Sequence, residues 1–252
     1  MTWPDDPYRT GQQLYCKPAW RLAAFTTWPV LADGQAVPTT TAIVYLPLRR
    51  AHPVAVTGQT LTFGFRAASA SDPADLPGVA AVADLDLMQA RRHAAVLAGY
   101  HLADDLAALQ RAGGAAVRRG LSAVVGDWAS RSPAAGRAAL FDGDLDLPGS
   151  LPLGRACRQA GISPVRTGVV RPEDWHPATL AVERALAIAL LCARHQGRYE
   201  WAGTLETMAC MTASAWDCLP WPEPGAPDGI PRSGMPAPGP EAVLAAAPGQ
   251  RQ

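Results

Sequence analysis

The chain has a single lysine, Lys17, and no excess of either charge: Lys+Arg and Asp+Glu both number 22 in 252 residues. A chain without net charge has no overall field to draw it onto nucleic acid or an anionic membrane, so any such attraction must come from a local patch. The five cysteines, Cys16, Cys157, Cys192, Cys210 and Cys218, are odd in number and form no C-x-x-C pair. That excludes the usual zinc-knuckle and thioredoxin-like spacings and argues for reduced thiols rather than a disulfide framework. No G-x-S-x-G, Walker A, H-E-x-x-H or G-x-G-x-x-G pattern occurs. The acyl-transfer, nucleotide-loop and zincin chemistries therefore have no support.

Long apolar runs are also missing. The longest, Ala185 to Ala193, sits between Arg184 and Arg194, well short of the roughly 20 residues that a membrane span requires. Met1 to Tyr8 holds Asp5 and Asp6 and lacks the basic-then-apolar order of a secretory signal. The expectation is a soluble, cytoplasmic protein with no membrane partner.

With 48% hydrophobic and 17% charged residues, the chain has material for one sizeable core. Residues 1–18 are polar and proline-punctuated and read as a loose leader, 19–218 as one α/β domain, and 219–252 as a disordered tail of Pro, Ala and Gly. Within the domain, Trp20 to Thr27, Thr39 to Leu46 and Val54 to Phe65, the last bent at Gly58, read as a three-strand antiparallel meander. A helical pattern begins near Asp84, and Ala94 to Gly99 is a short apolar strand ending in glycine. Two amphipathic helices follow, one with Leu102, Leu106 and Leu109, the other running from Val117 to Trp128. Arg137 to Phe141 is the fifth strand, Leu151 to Ala160 a helix closed by Gly161, Pro177 to His195 a long helix, and Ala202 to Trp216 a last one. This order predicts a mixed five-stranded sheet, three strands antiparallel and two parallel, flanked by helices.

The same order is used by the ribonuclease H-like fold, and Gly99-Tyr100-His101-Leu102-Ala103-Asp104-Asp105 resembles the G-H-N-x-x-x-D segment of the DnaQ-like, DEDD-type 3'-to-5' exonucleases. The resemblance covers about two-thirds of the chain, Trp20 to Gln196. It implies that Asp105, six residues after the glycine, stands where that family has a metal ligand, with Tyr100 and His101 replacing the expected His and Asn. On the residues alone, Asp104 and Asp105 read more readily as first-turn acids favoured by the helix dipole.

In the family the first strand carries D-x-E; here Thr26 and Trp28 occupy the two acidic positions. Two-metal hydrolysis needs several anionic oxygens around the cations. A hydroxyl and an indole do not supply them. The family's last acid, on a late helix, is matched by Glu183, with His176 seven residues upstream instead of five; a solvated helix residue beside Arg184 is the plainer alternative. Asp142 to Leu147 resembles the family segment after the fifth strand. Its alternating aspartates fail an EF-hand count, which places Leu153 where a bidentate glutamate belongs, and a loop whose acids cap backbone amides is the preferred reading.

These observations predict an exonuclease-like domain that is catalytically impaired, needs no cofactor if so, and acts as a nucleic-acid-binding or regulatory module. Tyr100, His101, Trp28 and His176 are its candidate contacts to a single strand; the arginine pairs Arg49-Arg50, Arg91-Arg92 and Arg118-Arg119 could add cations, though solvated faces are the preferred reading of such pairs. One alternative is an active Mg- or Mn-dependent 3'-to-5' exonuclease using Asp105 and Glu183, with Asp104 or Asp142 to Asp146 replacing the lost pair. Another is a protein-interaction module that recruits its partner through the Pro-rich tail.

Overall fold

A computed structural model describes residues 21–32, 35–48, 53–114, 119–131, 133, 136–163 and 176–215. The leader and the tail lie outside these, as do Arg49, Arg50 and Arg118. The strands β1 (Arg21–Ala32), β2 (Gln35–Pro47), β3 (Val54–Ala55), β4 (Gly64–Ser69), β5 (Val96–Gly99) and β6 (Ala139–Asp142) are followed late in the chain by β7 (Tyr199–Glu200). The helices are α1 (Leu76–His93), α2 (Leu102–Gly113), α3 (Arg119–Ser130), α4 (Gly143–Asp146), α5 (Leu153–Gln159), α6 (Pro177–His195) and α7 (Thr207–Ala215).

Five strands form one mixed sheet in the order β4-β2-β1-β5-β6. β1 and β4 are antiparallel to β2, whereas β5 is parallel to both β1 and β6. This is the mixed sheet that the element order predicted, and its strand order is compatible with a ribonuclease H-like fold.

Both faces of the sheet are covered, which is why its strands read as apolar runs rather than clean alternations. Leu22, Ala24 and Trp28 of β1 pack with Leu186 and Leu190 of α6 on one side. On the other, Ala23 and Phe25 pack with Leu87 of α1, Leu102 and Leu106 of α2 and Leu121 of α3. Helix α6 is buried almost all round, as an apolar helix wedged against a sheet should be.

The third meander strand is not Val54 to Phe65. Thr57 and Thr60 fold the chain into a turn, with the Thr57 amide donating to Thr60 Oγ1 at 2.9 Å and the Leu61 amide to the Thr57 carbonyl at 3.1 Å. Hydroxyl-to-backbone bonds of this kind compete with a continuous strand. Val54 and Ala55 pair instead with Tyr199 and Glu200 in a separate two-stranded sheet, and Gly64 to Ser69 takes the place beside β2.

Helix α1 begins eight residues before Asp84. Pro77 occupies its first turn, where a missing N–H costs nothing. A 3₁₀ turn at Pro73–Asp75 leads into it, capped by Asp72, whose Oδ1 accepts from the Ala74 amide at 2.8 Å.

At the crossing of α1 and α3 the backbones come so close that a Cβ on Gly120 would lie 1.9 Å from the Asp84 carbonyl oxygen. The Leu121 amide donates to Asp84 Oδ1 at 2.7 Å, and Arg91 pairs with Asp127 in the next turns. Among the described residues no helix is long and apolar enough to cross a membrane.

Candidate functional site

The parallel register of β1 and β5 ends early. Ala24 lies opposite Ala98, and β5 stops at Gly99, while β1 runs on through Phe25, Thr26 and Thr27 beside β2 alone. Past that point the β5 side of β1 has no strand to receive its amides.

The chain leaves β5 in a tight turn. A Cβ on Gly99 would meet Leu102 Cβ at 2.5 Å, and His101 adopts a left-handed conformation at φ 54° before α2 begins. This turn brings the fourth residue of α2, Asp105, to the open stretch of β1. Asp105 Oδ2 accepts from the Thr27 amide at 3.1 Å and from the Thr26 hydroxyl at 3.3 Å, and Oδ1 accepts from the Thr27 hydroxyl at 2.9 Å. The carboxylate thus stands in for the missing strand. Asp105 is half-buried. Loss of solvent around its carboxyl pushes its pKa up, and the Arg184 charge and the three bonds from Thr26 and Thr27 pull it partly back.

Trp28, in the second first-strand position, is 2% exposed and packs into the core on the α6 side. Its ring has no open face for a base. Tyr100 is equally enclosed, its hydroxyl donating to the Leu151 carbonyl, and burial with the nearby Asp144 charge pushes its phenol up to about 12. His101 keeps about half of its side chain in solvent, with Nδ1 3.4 Å from Asp144 Oδ2. His176 is exposed and caps α6, its Nδ1 accepting from the Ala178 amide at 3.2 Å.

Glu183 is not a solvated helix residue. It is 2% exposed, and its Oε1 accepts from the Thr207 hydroxyl at 3.0 Å. The Thr207 amide in turn donates to Ser163 Oγ at 3.0 Å, so this acid anchors the start of α7 and the end of the segment after α5. Burial, with the Glu183 charge added, pushes the neighbouring Cys157 thiol up to about 12. Cys157, Cys192 and Cys210 are all free and buried.

Asp142 closes β6 as a cap. It accepts from the His101 amide, from Trp128 Nε1 at 3.2 Å and from the Asp144 amide at 3.2 Å, while its own amide donates to Asp146 Oδ2 at 2.7 Å. Arg131 pairs with Asp146. The acids of this segment therefore hold backbone amides and an arginine.

Arg184 carried no role in the sequence reading. It is half-buried on α6, its Nε is enclosed without a hydrogen-bond partner among the described residues, and its charge reaches Asp105, Tyr100 and Cys157. The signal in the sequence was that Glu183-Arg184 is the only charged pair between Pro177 and Ala193, and a charge on an all-apolar helix needs a reason to be there. Thr27 was missed because its partner lies 78 residues away.

The donors at this end of β1 do not fit a pair of divalent ions. Thr26 offers a hydroxyl that points its proton at Asp105, Trp28 is in the core, and each Asp105 oxygen already accepts from β1. Among the described residues no group of three or more His, Cys, Asp or Glu side chains is arranged to hold a metal ion. No protein-family profile, curated protein or solved structure matches the chain.

Proposed function

We propose that this chain is a ribonuclease H-like domain, akin to the DnaQ-like exonucleases, that binds single-stranded nucleic acid at the carboxyl ends of β1 and β5 without hydrolysing it and without a resident metal. The observation that carries the reading is the carboxylate of Asp105, which is bonded to Thr26 and Thr27 where a nuclease of this architecture would direct it at a cation. A cleft beyond the carboxyl ends of sheet strands survives the loss of metal ligands, because strand order and crossovers make it.

Arg184 supplies the fixed positive charge that metal ions would otherwise bring to this place. A guanidinium is a donor fork suited to phosphate oxygens, and Arg184 is only half-buried. His101 and His176 are the exposed rings on the same reading. Trp28 and Tyr100 serve the fold. Because the chain has no net charge, binding should be modest and should weaken as salt rises.

Fluorescence anisotropy with a labelled single-stranded oligonucleotide tests this, alongside a degradation assay in magnesium or manganese. The expected outcome is saturable binding, an intact oligonucleotide, and an Arg184→Gln variant whose log-log salt slope is shallower by about 1. Digestion abolished by Asp105→Ala would establish the active nuclease instead. Absence of binding at low salt would leave the domain without a nucleic-acid role.

A further inference from the structure

A second site lies where the C-terminal end of α6 meets α5 and the loop after α4. It is a pocket of about 210 Å³ whose walls include Leu147, Leu151, Ala156 and Leu191, with Arg194 and His195 among its lining residues. Among the described residues no acidic side chain lines it.

The volume sets the size of the occupant. An apolar cavity of about 150 Å³ accommodates benzene, so this pocket has space for one aromatic ring and a short substituent. The charge sets its chemistry. Arg194 is held in place twice: its guanidinium carbon lies 4.7 Å from the centroid of the Trp201 ring, and one of its N–H groups donates to the Ala160 carbonyl. Trp201 is itself fixed by its indole N–H, which is 3.1 Å from the Ala160 carbonyl oxygen and 3.0 Å from that of Gly161. A guanidinium has five N–H donors in a rigid fork, so a carboxylate can be met by donors whose direction is set before it arrives. Prior immobilisation of this kind removes much of the ordering cost of binding. The His195 ring packs 5.5 Å from that of Phe141, adding a second basic side chain whose position is constrained.

We infer that this pocket binds a small aromatic monocarboxylate, with the ring between Leu147, Leu151 and Leu191 and the carboxylate on Arg194. The pocket shares no lining residue with the bonds around Asp105, and the proposal does not depend on the nucleic-acid reading.

The test is calorimetric titration of phenylacetate and of phenylacetamide into the full chain. Phenylacetate should bind saturably, and the neutral amide about tenfold or more weaker, as loss of a charge-assisted hydrogen bond predicts. Arg194→Gln should weaken phenylacetate by a similar factor, and Ala156→Phe, which fills the pocket, should abolish binding. Should Ala156→Phe fail to fold, Arg194→Gln with its thermal unfolding measured in parallel decides the matter. Equal affinity for acid and amide, no saturable binding of phenylacetate, or full affinity in Arg194→Gln would overturn the proposal.

Discussion

The Thr27 amide donates to Asp105 Oδ2 across 3.1 Å, and the Thr27 hydroxyl donates to Oδ1 across 2.9 Å, just beyond the point where β5 stops pairing with β1. One carboxylate on a helix thereby closes the unpaired edge of a central strand. Replacing it by Ala removes the acceptor of the buried Thr27 amide and hydroxyl, while the Thr26 hydroxyl keeps the Thr27 carbonyl at 3.4 Å; the loss should be about 1–3 kcal/mol. Asp105→Asn keeps an acceptor oxygen and should cost distinctly less. Urea unfolding of the two variants measures the difference; equal losses would show that the bonds to β1 contribute nothing.

Asp105 also has a pH signature. Its folded pKa is raised, chiefly by desolvation, so the folded chain holds that proton more tightly than the unfolded chain, whose aspartates titrate near about 3.9. Its stabilising contribution is fully present below the unfolded value and is lost as pH rises through the folded one. The difference in unfolding free energy between wild type and Asp105→Asn should therefore shift against the wild type as pH rises above the unfolded value. A flat difference would contradict the shift.

Tyr100 works in the alkaline range. Its phenol is pushed up to about 12 by burial, above the unfolded value of about 10. The stability it contributes persists below the unfolded value and disappears between about 10 and 12. Tyr100→Phe removes the bond to the Leu151 carbonyl, costing about 1 kcal/mol at neutral pH, and should flatten the alkaline loss of stability. Denaturant titrations at pH 8 and at pH about 11 check both effects against the same linkage.

Gly120 tests the helix crossing. A methyl group there would lie 1.9 Å from the Asp84 carbonyl oxygen, a backbone atom that cannot rotate away. Gly120→Ala, which would stabilise an exposed helix, should instead destabilise this one by about 1–3 kcal/mol. Gly126, on the same helix, has nothing within 4 Å of an added Cβ, so Gly126→Ala is the control, expected to be neutral or slightly stabilising. Thermal unfolding of the pair separates packing from propensity.

The sheet was legible because its signals are local. Leu22 to Phe25 and Ile43 to Leu46 read as buried strands without knowledge of their neighbours, and Pro177 to His195 carried its helix boundaries in a proline and a terminal basic pair. Errors arose where a local signal had two meanings. Pro77 and Gly78 suggest a loop, yet they open α1; Val54 looks like the start of the third strand, yet the Thr57 to Thr60 turn diverts it to Tyr199.

At the candidate site, the family resemblance grouped Thr26 and Trp28 with Asp105; Thr26 does hydrogen-bond Asp105, whereas Trp28 lies in the core. That Thr27 would supply two of the three bonds was hidden, because alternation along a strand directs Thr26 and Thr27 to opposite faces. Only the end of β5, which exposes the edge between those faces, lets one carboxylate take both. Glu183 misled for a related reason. A charged residue next to Arg184 suggests water, and its buried partner Thr207 comes from a helix 24 residues further on.

Calorimetric titration of manganese into the full-length protein at neutral pH bears most directly on whether Asp105 belongs to β1 or to a cation. Heats of dilution alone, the same in wild type and Asp105→Ala, are the predicted result. Two tight sites that vanish in Asp105→Ala would contradict it and restore a metal-dependent nuclease.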